Sequence, residues 1–303
     1  MAVTQKSRTS FRDTLLTAVA PCVWGSTYIV TTELLPADHP LTAAVIRALP
    51  VGIIMLALTR SLPRGLWWWR LLVLGMLNIG IFQALLFVAA YRLPGGVAAT
   101  VGAIQPLVVV GLTWIVLQER HSRLTWLAAI SGLFGVGLLV LGPAAKLDTL
   151  GIVAALIGAV SMAFGTVLTK RWQSPFPVST YTAWQLVFGG IFLLPLAMGF
   201  EENIHIVTLN NLIGYAYLSL IGSGLTYALW FRGIHRLPAS AVSLLGLLSP
   251  FVATLLGYFL LRQSLTVIQF LGAMLVLSSV WIGQLESTGQ RLKIQWSKNR
   301  LEN

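Results

Sequence analysis

The sequence predicts an all-α integral membrane protein, in which ten transmembrane helices form two inverted repeats of five helices each. Three observations support this prediction. Hydrophobic residues make up 56% of the 303 residues and charged residues only 10%, whereas a soluble domain carries about 25% charged residues. Apolar segments long enough to cross a bilayer recur along the chain, and its two halves resemble each other.

Composition also excludes several other classes of protein. The formal net charge is +11, but the Lys and Arg residues lie between apolar segments and form no basic surface with interleaved aromatic rings, so no nucleic-acid partner is predicted. Cys22 is the only cysteine, which excludes a disulfide framework and a cysteine-based metal site. The first apolar segment lacks an A-x-A cleavage site, and we interpret it as a retained membrane helix.

Ten segments are apolar over about 20 residues, the length that crosses the hydrocarbon core of a bilayer. Turn residues and charges separate them, so little chain remains for a soluble domain. The predicted spans are residues 14–32, 41–59, 71–90, 96–117, 124–142, 149–169, 180–198, 211–231, 239–261 and 267–284. Residues 1–12 then form the N-terminal segment, 13–145 and 146–285 the two five-helix repeats, and 286–303 a basic tail.

The distribution of Lys and Arg predicts the orientation, because cytoplasmic loops carry an excess of these residues. With the N-terminus inside, nearly all of them are cytoplasmic. Only Arg92, Lys146 and Arg262 then face outwards, and Arg47 lies within the second span. Both termini are therefore predicted to be cytoplasmic.

The internal repeat appears when the two halves are aligned. A shift of 144 positions places Arg92, Leu93, Pro94, Gly102 and Pro106 on Arg236, Leu237, Pro238, Gly246 and Pro250. Because each repeat has an odd number of spans, the second copy enters the membrane from the opposite side. Inverted repeats are typical of transporters that expose a site near the membrane midplane alternately to either side.

The repeated prolines predict interruptions of the fourth and ninth spans. Pro106 and Pro250 each remove a helical hydrogen bond and clash with the carbonyl four residues earlier, which belongs to Gly102 or Gly246. An unpaired carbonyl is costly in lipid and should face protein or a wet cavity. These four residues are therefore either hinges of a transport cavity or packing kinks, and both interpretations stay open.

Polar and aromatic residues at membrane depth are candidates for a substrate site. A cavity of neutral donors, acceptors and rings suits a small amphipathic solute, although hydrogen bonds between helices explain each residue equally well. The predicted substrate-binding residues are Trp24, Tyr28, Asn78, Gln83, Gln105, Phe164, Trp184, Tyr227, Trp230 and Ser249.

Charged residues within the spans are few, and such residues are usually functional. Arg47 has no acidic neighbour in its span. It either binds a substrate carboxylate or ties helices together through carbonyl groups, and the second role is favoured. Glu33, at the outer end of the first span, is the only acidic residue near membrane depth. A proton relay is therefore not predicted, and we expect facilitated diffusion or weakly coupled exchange.

Several local motifs resemble the EamA-type branch of the drug/metabolite transporter superfamily. They are Trp24-Gly25-Ser26-Thr27-Tyr28, Arg47, Leu93-Pro94-Gly95-Gly96-Val97-Ala98, Gln118-Glu119-Arg120 and Gln269-Phe270-Leu271-Gly272-Ala273. The resemblance covers about residues 12 to 285. It implies a bacterial inner-membrane exporter of amino acids or related small metabolites, and some relatives are linked to pigments or drugs.

The chain departs from that family at one place. The family often has an acidic residue after the fourth helix of each half. The first half has Glu119 there, but the second half has Arg262-Gln263. This difference puts in doubt any salt bridge that the family forms there.

An intramembrane enzyme and a channel are the main alternatives. The sequence contains neither H-E-x-x-H nor G-x-S-x-G, and His39, His121, His205 and His235 all fall in loops or at span ends. No catalytic residue, metal or cofactor is therefore predicted. Channels usually show charged rings or carbonyl filter loops, and neither is evident. The favoured interpretation is a carrier that is surrounded by lipid and moves a small molecule. The alternative is a proton-driven exporter of drugs or pigments.

Overall fold

Within the described residues, the chain folds into ten successive helices that pack together as a bundle. It was analysed in a computed structural model that describes residues 2–93, 95–140, 148–202, 207–260 and 266–301, with side chains between residues 11 and 286 of these ranges except at 95–97 and 140. The predictions that concern Pro94, Lys146, His205 and Arg262-Gln263 fall outside the described residues.

The ten helices follow the order of the predicted spans, and several consist of more than one segment. They are α1 (Ala2–Gly25 and Thr27–Leu34), α2 (Pro40–Thr59), α3 (Trp67–Gly75, Met76–Gly80 and Ile81–Arg92), α4 (Gly95–Gly102 and Gln105–Leu117), α5 (Arg123–Val140), α6 (Thr149–Trp172), α7 (Val178–Phe200), α8 (Leu209–Ala216, Tyr217–Leu225 and Thr226–Arg236), α9 (Ala239–Leu245 and Leu248–Leu260) and α10 (Val267–Leu301).

The predicted all-α membrane fold is confirmed. Within the described residues there is no strand, and nine helices are long and apolar enough to cross a membrane. The shorter apolar helix Arg123–Leu139 lies at the fifth predicted span. The first and last helices are longer than predicted, because α1 begins at Ala2, before residue 14, and α10 continues past residue 284 to Leu301.

The two repeats pack against each other as interlocked halves. α2 packs extensively against α7 and α5 against α10, and α4 contacts α9, so equivalent helices of the two repeats meet. In addition, the first helix of each repeat packs against the third helix of the other, α1 against α8 and α6 against α3. These reciprocal contacts are those of two inverted copies related by an approximate two-fold axis.

Helix α4 and helix α9 are interrupted where the sequence predicted. The break in α4 falls at residues 103–104 and that in α9 at residues 246–247, a few residues before Pro106 and Pro250. At these breaks, backbone hydrogen bonds span three residues instead of the four of an α-helix. Examples are Ile104 N–H to Val101 O at 3.3 Å and Ser249 N–H to Gly246 O at 3.0 Å. Short stretches of this kind within a helix often mark functional hinges.

Two further irregularities were not predicted from the sequence. Residues Met76–Gly80 of α3 and Tyr217–Leu225 of α8 are π-helical. The 144-residue shift places the first of these segments within the second, so each repeat widens its third helix at the same place. Such π-bulges are rare and occur frequently at functional sites.

Glycines allow α5 and α10 to approach closely. A Cβ atom on Gly272 would lie 2.5 Å from Leu139 N and 2.7 Å from Gly135 O, which is too close for any side chain. At the same interface Ser279 donates a hydrogen bond to Ala128 O at 2.5 Å. Small residues that let helix backbones meet are a main source of helix association in membranes.

We expect the Gly272→Ala variant to lose about 1–3 kcal/mol of stability, the usual effect of overpacking a tight contact. Thermal unfolding of the purified protein in detergent measures the loss. Gly199→Ala is the matched control, because a Cβ atom there meets nothing within 4 Å. Equal stability of the two variants would contradict the close crossing of α5 and α10.

Candidate functional site

A cavity lies between the two repeats, near the middle of the bundle. It encloses about 970 Å³ of empty space when the open space at its mouth is included. Helices α1, α2, α3, α4, α6, α8 and α9 contribute to its wall. The lining residues are Trp24, Thr27, Tyr28, Arg47, Phe82, Leu86, Ala89, Ala98, Ala99, Gly102, Ala103, Gln105, Pro106, Ala155, Gly158, Ala159, Met162, Tyr227, Trp230, Ser243, Gly246, Leu247, Ser249 and Pro250.

The cavity extends from the middle of the bundle toward one side. Along α3 its wall runs from Phe82 to Ala89, and along α4 it begins at Ala98. These residues approach the side at which α3 ends and α4 and α6 begin. At the other end of the cavity, Tyr227 and Trp230 of α8 lie between the middle of that helix and its C-terminus. The cavity therefore ends toward the side of the bundle on which α1 begins, and it extends toward the opposite side.

Three aromatic rings meet beside the cavity. The ring of Trp24 lies 5.2 Å from that of Tyr227 and 5.1 Å from that of Trp230, both in tilted geometry. Tyr227 and Trp230 are almost fully buried. Tilted pairs at this distance are favourable beyond the area that they bury, so the cluster forms a rigid apolar wall.

The π-helical segment of α8 presents a backbone carbonyl to neighbouring helices. Gly222 O accepts hydrogen bonds from Trp24 Nε1 at 3.1 Å, Arg47 Nη2 at 3.0 Å and Thr226 Oγ1 at 2.8 Å. A π turn displaces backbone hydrogen bonds from their α-helical partners, which lets a carbonyl at membrane depth take side-chain donors. One carbonyl of the second repeat thus joins α1 and α2 of the first.

Arg47 is buried within the bundle, with 2% of its surface exposed. Its Nε donates to Ser223 Oγ at 3.2 Å and its Nη2 to Gly222 O, while its Cζ lies 5.8 Å from the ring centre of Phe87. Its Nη1 has no hydrogen-bond partner. The tie to carbonyl groups that the sequence favoured is present, and one nitrogen is left over beside the cavity.

The four residues predicted as hinges all line the cavity. Gly102 and Pro106 lie on α4, and Gly246 and Pro250 lie on α9. A Cβ atom on Gly102 would meet nothing within 4 Å. The interrupted helices thus form part of the cavity wall, and their hinge role stays a prediction.

The structure brings six of the ten predicted substrate-binding residues to the cavity. These are Trp24, Tyr28, Gln105, Tyr227, Trp230 and Ser249. Gln83 stands behind the wall, where its Nε2 donates to Tyr227 Oη at 3.2 Å. Asn78, Phe164 and Trp184 lie outside the lining of the cavity.

Asn78 belongs to a buried polar cluster between the repeats, not to the cavity wall. Its Nδ2 donates to Gln185 Oε1 at 2.8 Å, and Tyr181 Oη donates to Thr169 Oγ1 at 3.1 Å nearby. Both amide side chains are fully buried. Asn78 lies in the π-helical segment of α3, so this contact is the counterpart of the one between Arg47 and α8.

Phe164 and Trp184 are not among the lining residues of the cavity, and their role in substrate binding stays a prediction. Phe164 is 41% exposed and shares an outer face of α6 with Ile157 and Val160, because helix residues three and four positions apart lie on one side. Trp184 packs on Trp68, with ring centres 5.0 Å apart, and donates to Ser61 O at 2.9 Å. The position of each residue within its span could be read from the sequence, but the side of the helix on which it lies could not.

Sequence reasoning missed several lining residues. Thr27, Phe82 and Met162 contribute to the wall and were not singled out. The helical spacing of Phe82, Leu86 and Ala89 is a usable signal, since it places all three on one face of α3. This spacing identifies lining residues only when it is also known that this face of α3 points toward the cavity.

Ion pairs join the repeats at both sides of the bundle. On the side where α1 begins, Asp13 lies 2.5 Å from Arg232 and 3.6 Å from Arg236, and its side chain is 9% exposed. On the opposite side, Arg92 lies 3.7 Å from Asp148, with side chains 49% and 39% exposed. In each case the first helix of one repeat meets the end of the third helix of the other.

The side on which α1 begins carries a further polar cluster. Lys170 Nζ donates to Ile234 O at 3.0 Å and Leu237 O at 2.9 Å, which caps the C-terminus of α8. Burial raises the pKa of the Glu119 carboxyl, and nearby Lys170 partly offsets this. Burial also lowers the pKa of His121, whose Nε2 lies 2.6 Å from Thr113 Oγ1. In both groups burial thus shifts the pKa in the direction of the neutral form.

The described residues contain no group of three or more His, Cys, Asp or Glu side chains that could hold a metal ion. The cavity therefore offers rings, amides, hydroxyls and one guanidinium as its chemical groups. Such a set can bind and release a small molecule through hydrogen bonds and apolar contacts.

Comparison with known proteins identifies relatives of this chain. The model of the EamA-like transporter family matches residues 14–141 and 149–282. The chain is 49% identical to Protein PecM of Dickeya dadantii (strain 3937) over 276 residues, which are 90% of this chain and 93% of that protein. It is 27% identical to a chloroplastic WAT1-related protein of Arabidopsis thaliana, covering 86% of this chain and 66% of that one.

Two further comparisons concern the cell membrane and the fold. The uncharacterized inner membrane transporter YedA of Escherichia coli (strain K12) is 26% identical over 85% of this chain and 86% of its own. A protein of known crystal structure, 19% identical, matches with a TM-score of 0.77 over 91% of this chain and 99% of its own. The second match shows that the fold is shared. The resemblance inferred from the sequence motifs is confirmed.

The placement of Asn78 generates a double-mutant prediction. Gln185→Ala leaves the buried Asn78 amide without its partner, which costs about 1–3 kcal/mol of stability. The double variant Asn78→Ala and Gln185→Ala should lose less than the sum of the two single variants. Thermal unfolding of the purified proteins measures the three losses. A weakened affinity for substrate with unchanged stability would place Asn78 in the substrate site instead.

Proposed function

Because the chain belongs to the EamA-like transporter family, and is therefore a multi-pass membrane transporter, we propose that it exports small amphipathic metabolites. Amino acids or their derivatives are the proposed class, moved by alternating access of one central site to the two sides of the membrane. The observation that carries the proposal is the cavity itself. It lies between the repeats and is walled by their interrupted helices α4 and α9.

The composition of the cavity supports a small amphipathic solute. Its wall combines apolar residues, such as Phe82 and Met162, with a few polar groups, such as Gln105 and Ser249. Pockets for small molecules usually have this character, since apolar surface supplies affinity and a few polar groups fix orientation.

The ion pairs at the two sides support alternating access. In the described conformation Asp13 is nearly buried between Arg232 and Arg236, whereas Arg92 and Asp148 are about half exposed. The cavity extends toward the second of these sides. If the N-terminus is cytoplasmic, as the excess of Lys and Arg indicates, the described conformation is closed to the cytoplasm and faces outwards. We propose a bacterial inner membrane location, which the similarity to the inner membrane transporter YedA supports.

The acidic residues favour facilitated diffusion or weakly coupled exchange. Proton relays in transporters usually use carboxylates or His at membrane depth. Among the described residues no Asp, Glu or His lines the cavity, and Glu33 is exposed at the end of α1. Transport should therefore follow the substrate gradient.

The transport assay uses purified protein in liposomes that are offered a bacterial metabolite extract. Mass spectrometry of the liposome lumen, with protein-free liposomes as the control, should show enrichment of a few related amino acids or derivatives, with or without a pH gradient. Enrichment of pigments or drugs alone would replace amino acids as the proposed substrate class. A strict requirement for the gradient that survives Glu33→Gln would contradict the uncoupled mechanism, and the absence of any saturable uptake would contradict the carrier.

The interrupted helices generate a kinetic prediction. Replacing both Pro106 and Pro250 with Ala restores helical hydrogen bonds at the breaks, so the rate of substrate counterflow should fall more than substrate affinity. The matched control is Pro50→Ala with Pro195→Ala. These two prolines also lie inside helices, but they are exposed on the outer surface. Equal losses of rate and affinity, or none, would refute the hinge role.

A further inference from the structure

Among the described residues that line the cavity, Arg47 is the only charged one. No carboxylate within salt-bridge distance of it occurs in the described part of the chain, where the ion pairs are those of Arg92, Arg232 and Arg236. Its two hydrogen bonds go to a neutral carbonyl and a neutral hydroxyl. A buried charge without a counter-ion is strongly unfavourable, so the site lacks one negative charge.

Several lining residues of the cavity have buried N–H groups without a hydrogen-bond partner. Three buried nitrogen atoms on lining residues have no hydrogen-bond partner, namely Nη1 of Arg47, Nε2 of Gln105 and Nε1 of Trp230. Each of them is an N–H donor. They come from three different helices, α2, α4 and α8. A ligand that offers acceptor oxygens would satisfy them, whereas a ligand that brings further donors would not.

The wall offers no partner of opposite charge for an ammonium group. None of the Asp and Glu residues in the described ranges lines the cavity, and an ammonium group bound there would share the space with the Arg47 guanidinium. Two positive charges in a site of low dielectric repel each other strongly. The site therefore distinguishes molecules by charge as well as by size.

We propose that the transported species is a monoanionic carboxylic acid with an aromatic or other apolar body and without a protonated amine. Its carboxylate binds Nη1 of Arg47, since guanidinium and carboxylate groups form strong charge-assisted hydrogen bonds. The apolar body lies against Trp24, Trp230 and Met162. This inference rests on the transport function proposed above. It narrows the substrate class from amino acids in general to derivatives whose amine is absent or blocked.

A matched series of ligands tests the charge preference on the unmodified protein. The series is 3-phenylpropionate, phenylalanine, 3-phenylpropionamide and 3-phenylpropylamine, which share a ring and a three-carbon chain and differ in charged groups. Calorimetric titration of the purified protein in detergent at pH 7 measures their dissociation constants. 3-Phenylpropionate should bind at least about tenfold more tightly than each of the others, the range expected for a charge-assisted hydrogen bond.

Variants assign the preference to Arg47. Arg47→Gln should remove the advantage of the anion, and Arg47→Lys, which keeps the charge, should retain part of it. Arg64→Gln is the control, because Arg64 is exposed in a loop, and it should keep the full preference. If Arg47→Gln does not fold, Gln105→Leu takes its place, since it removes another unpartnered donor and should weaken binding of 3-phenylpropionate more than that of 3-phenylpropionamide.

The outcomes separate this inference from the transport function. Tighter binding of phenylalanine or of the amine, binding of none of the four compounds, or a preference for the anion that survives in Arg47→Gln would overturn the inference. Saturable uptake from the metabolite extract would leave the transport function standing in each of these cases. Absence of saturable uptake, together with binding of the anion, would overturn the transport function instead.

Discussion

The structure depends on how a buried positive charge is held inside an apolar bundle. Arg47 on α2 reaches the π-helical segment of α8, where Gly222 O and Ser223 Oγ accept two of its hydrogen bonds. The carbonyl of Gly222 also accepts from Trp24, so α1, α2 and α8 meet at one point. These hydrogen bonds join the two repeats beside the cavity.

The same arrangement occurs in inverted form on the other side of the approximate two-fold axis. There the π-helical segment of α3 contains Asn78, which meets Gln185 of α7. The second helix of each repeat thus bonds to the third helix of the other, once with a charge and once with a neutral amide. This asymmetry matters for function, because only the half that contains Arg47 carries the charge to the cavity. The cavity is therefore asymmetric, although the fold is approximately symmetric.

Much of the architecture could be predicted because long apolar segments and prolines act locally. Pro106 and Pro250 located the helix interruptions to within a few residues, since proline removes a backbone hydrogen bond wherever it stands. The π-helical segments could not be predicted, because they depend on partners from other helices, such as Trp24 and Arg47. The outer position of Phe164 could not be predicted for a related reason. Its depth follows from its position in the span, but the side of α6 that faces the cavity is decided by packing against α3.

The central claim is that the two sides of the bundle open and close in turn around the cavity. Pairs of spin labels test it directly, one pair near Asp13 and Arg236 and the other near Arg92 and Asp148, with Cys22 replaced by Ser. Pulsed electron resonance measures both distances in lipid as substrate is added. The account predicts reciprocal changes, with one distance growing as the other shrinks. Two distances that stay constant, or that change in the same direction, would contradict it.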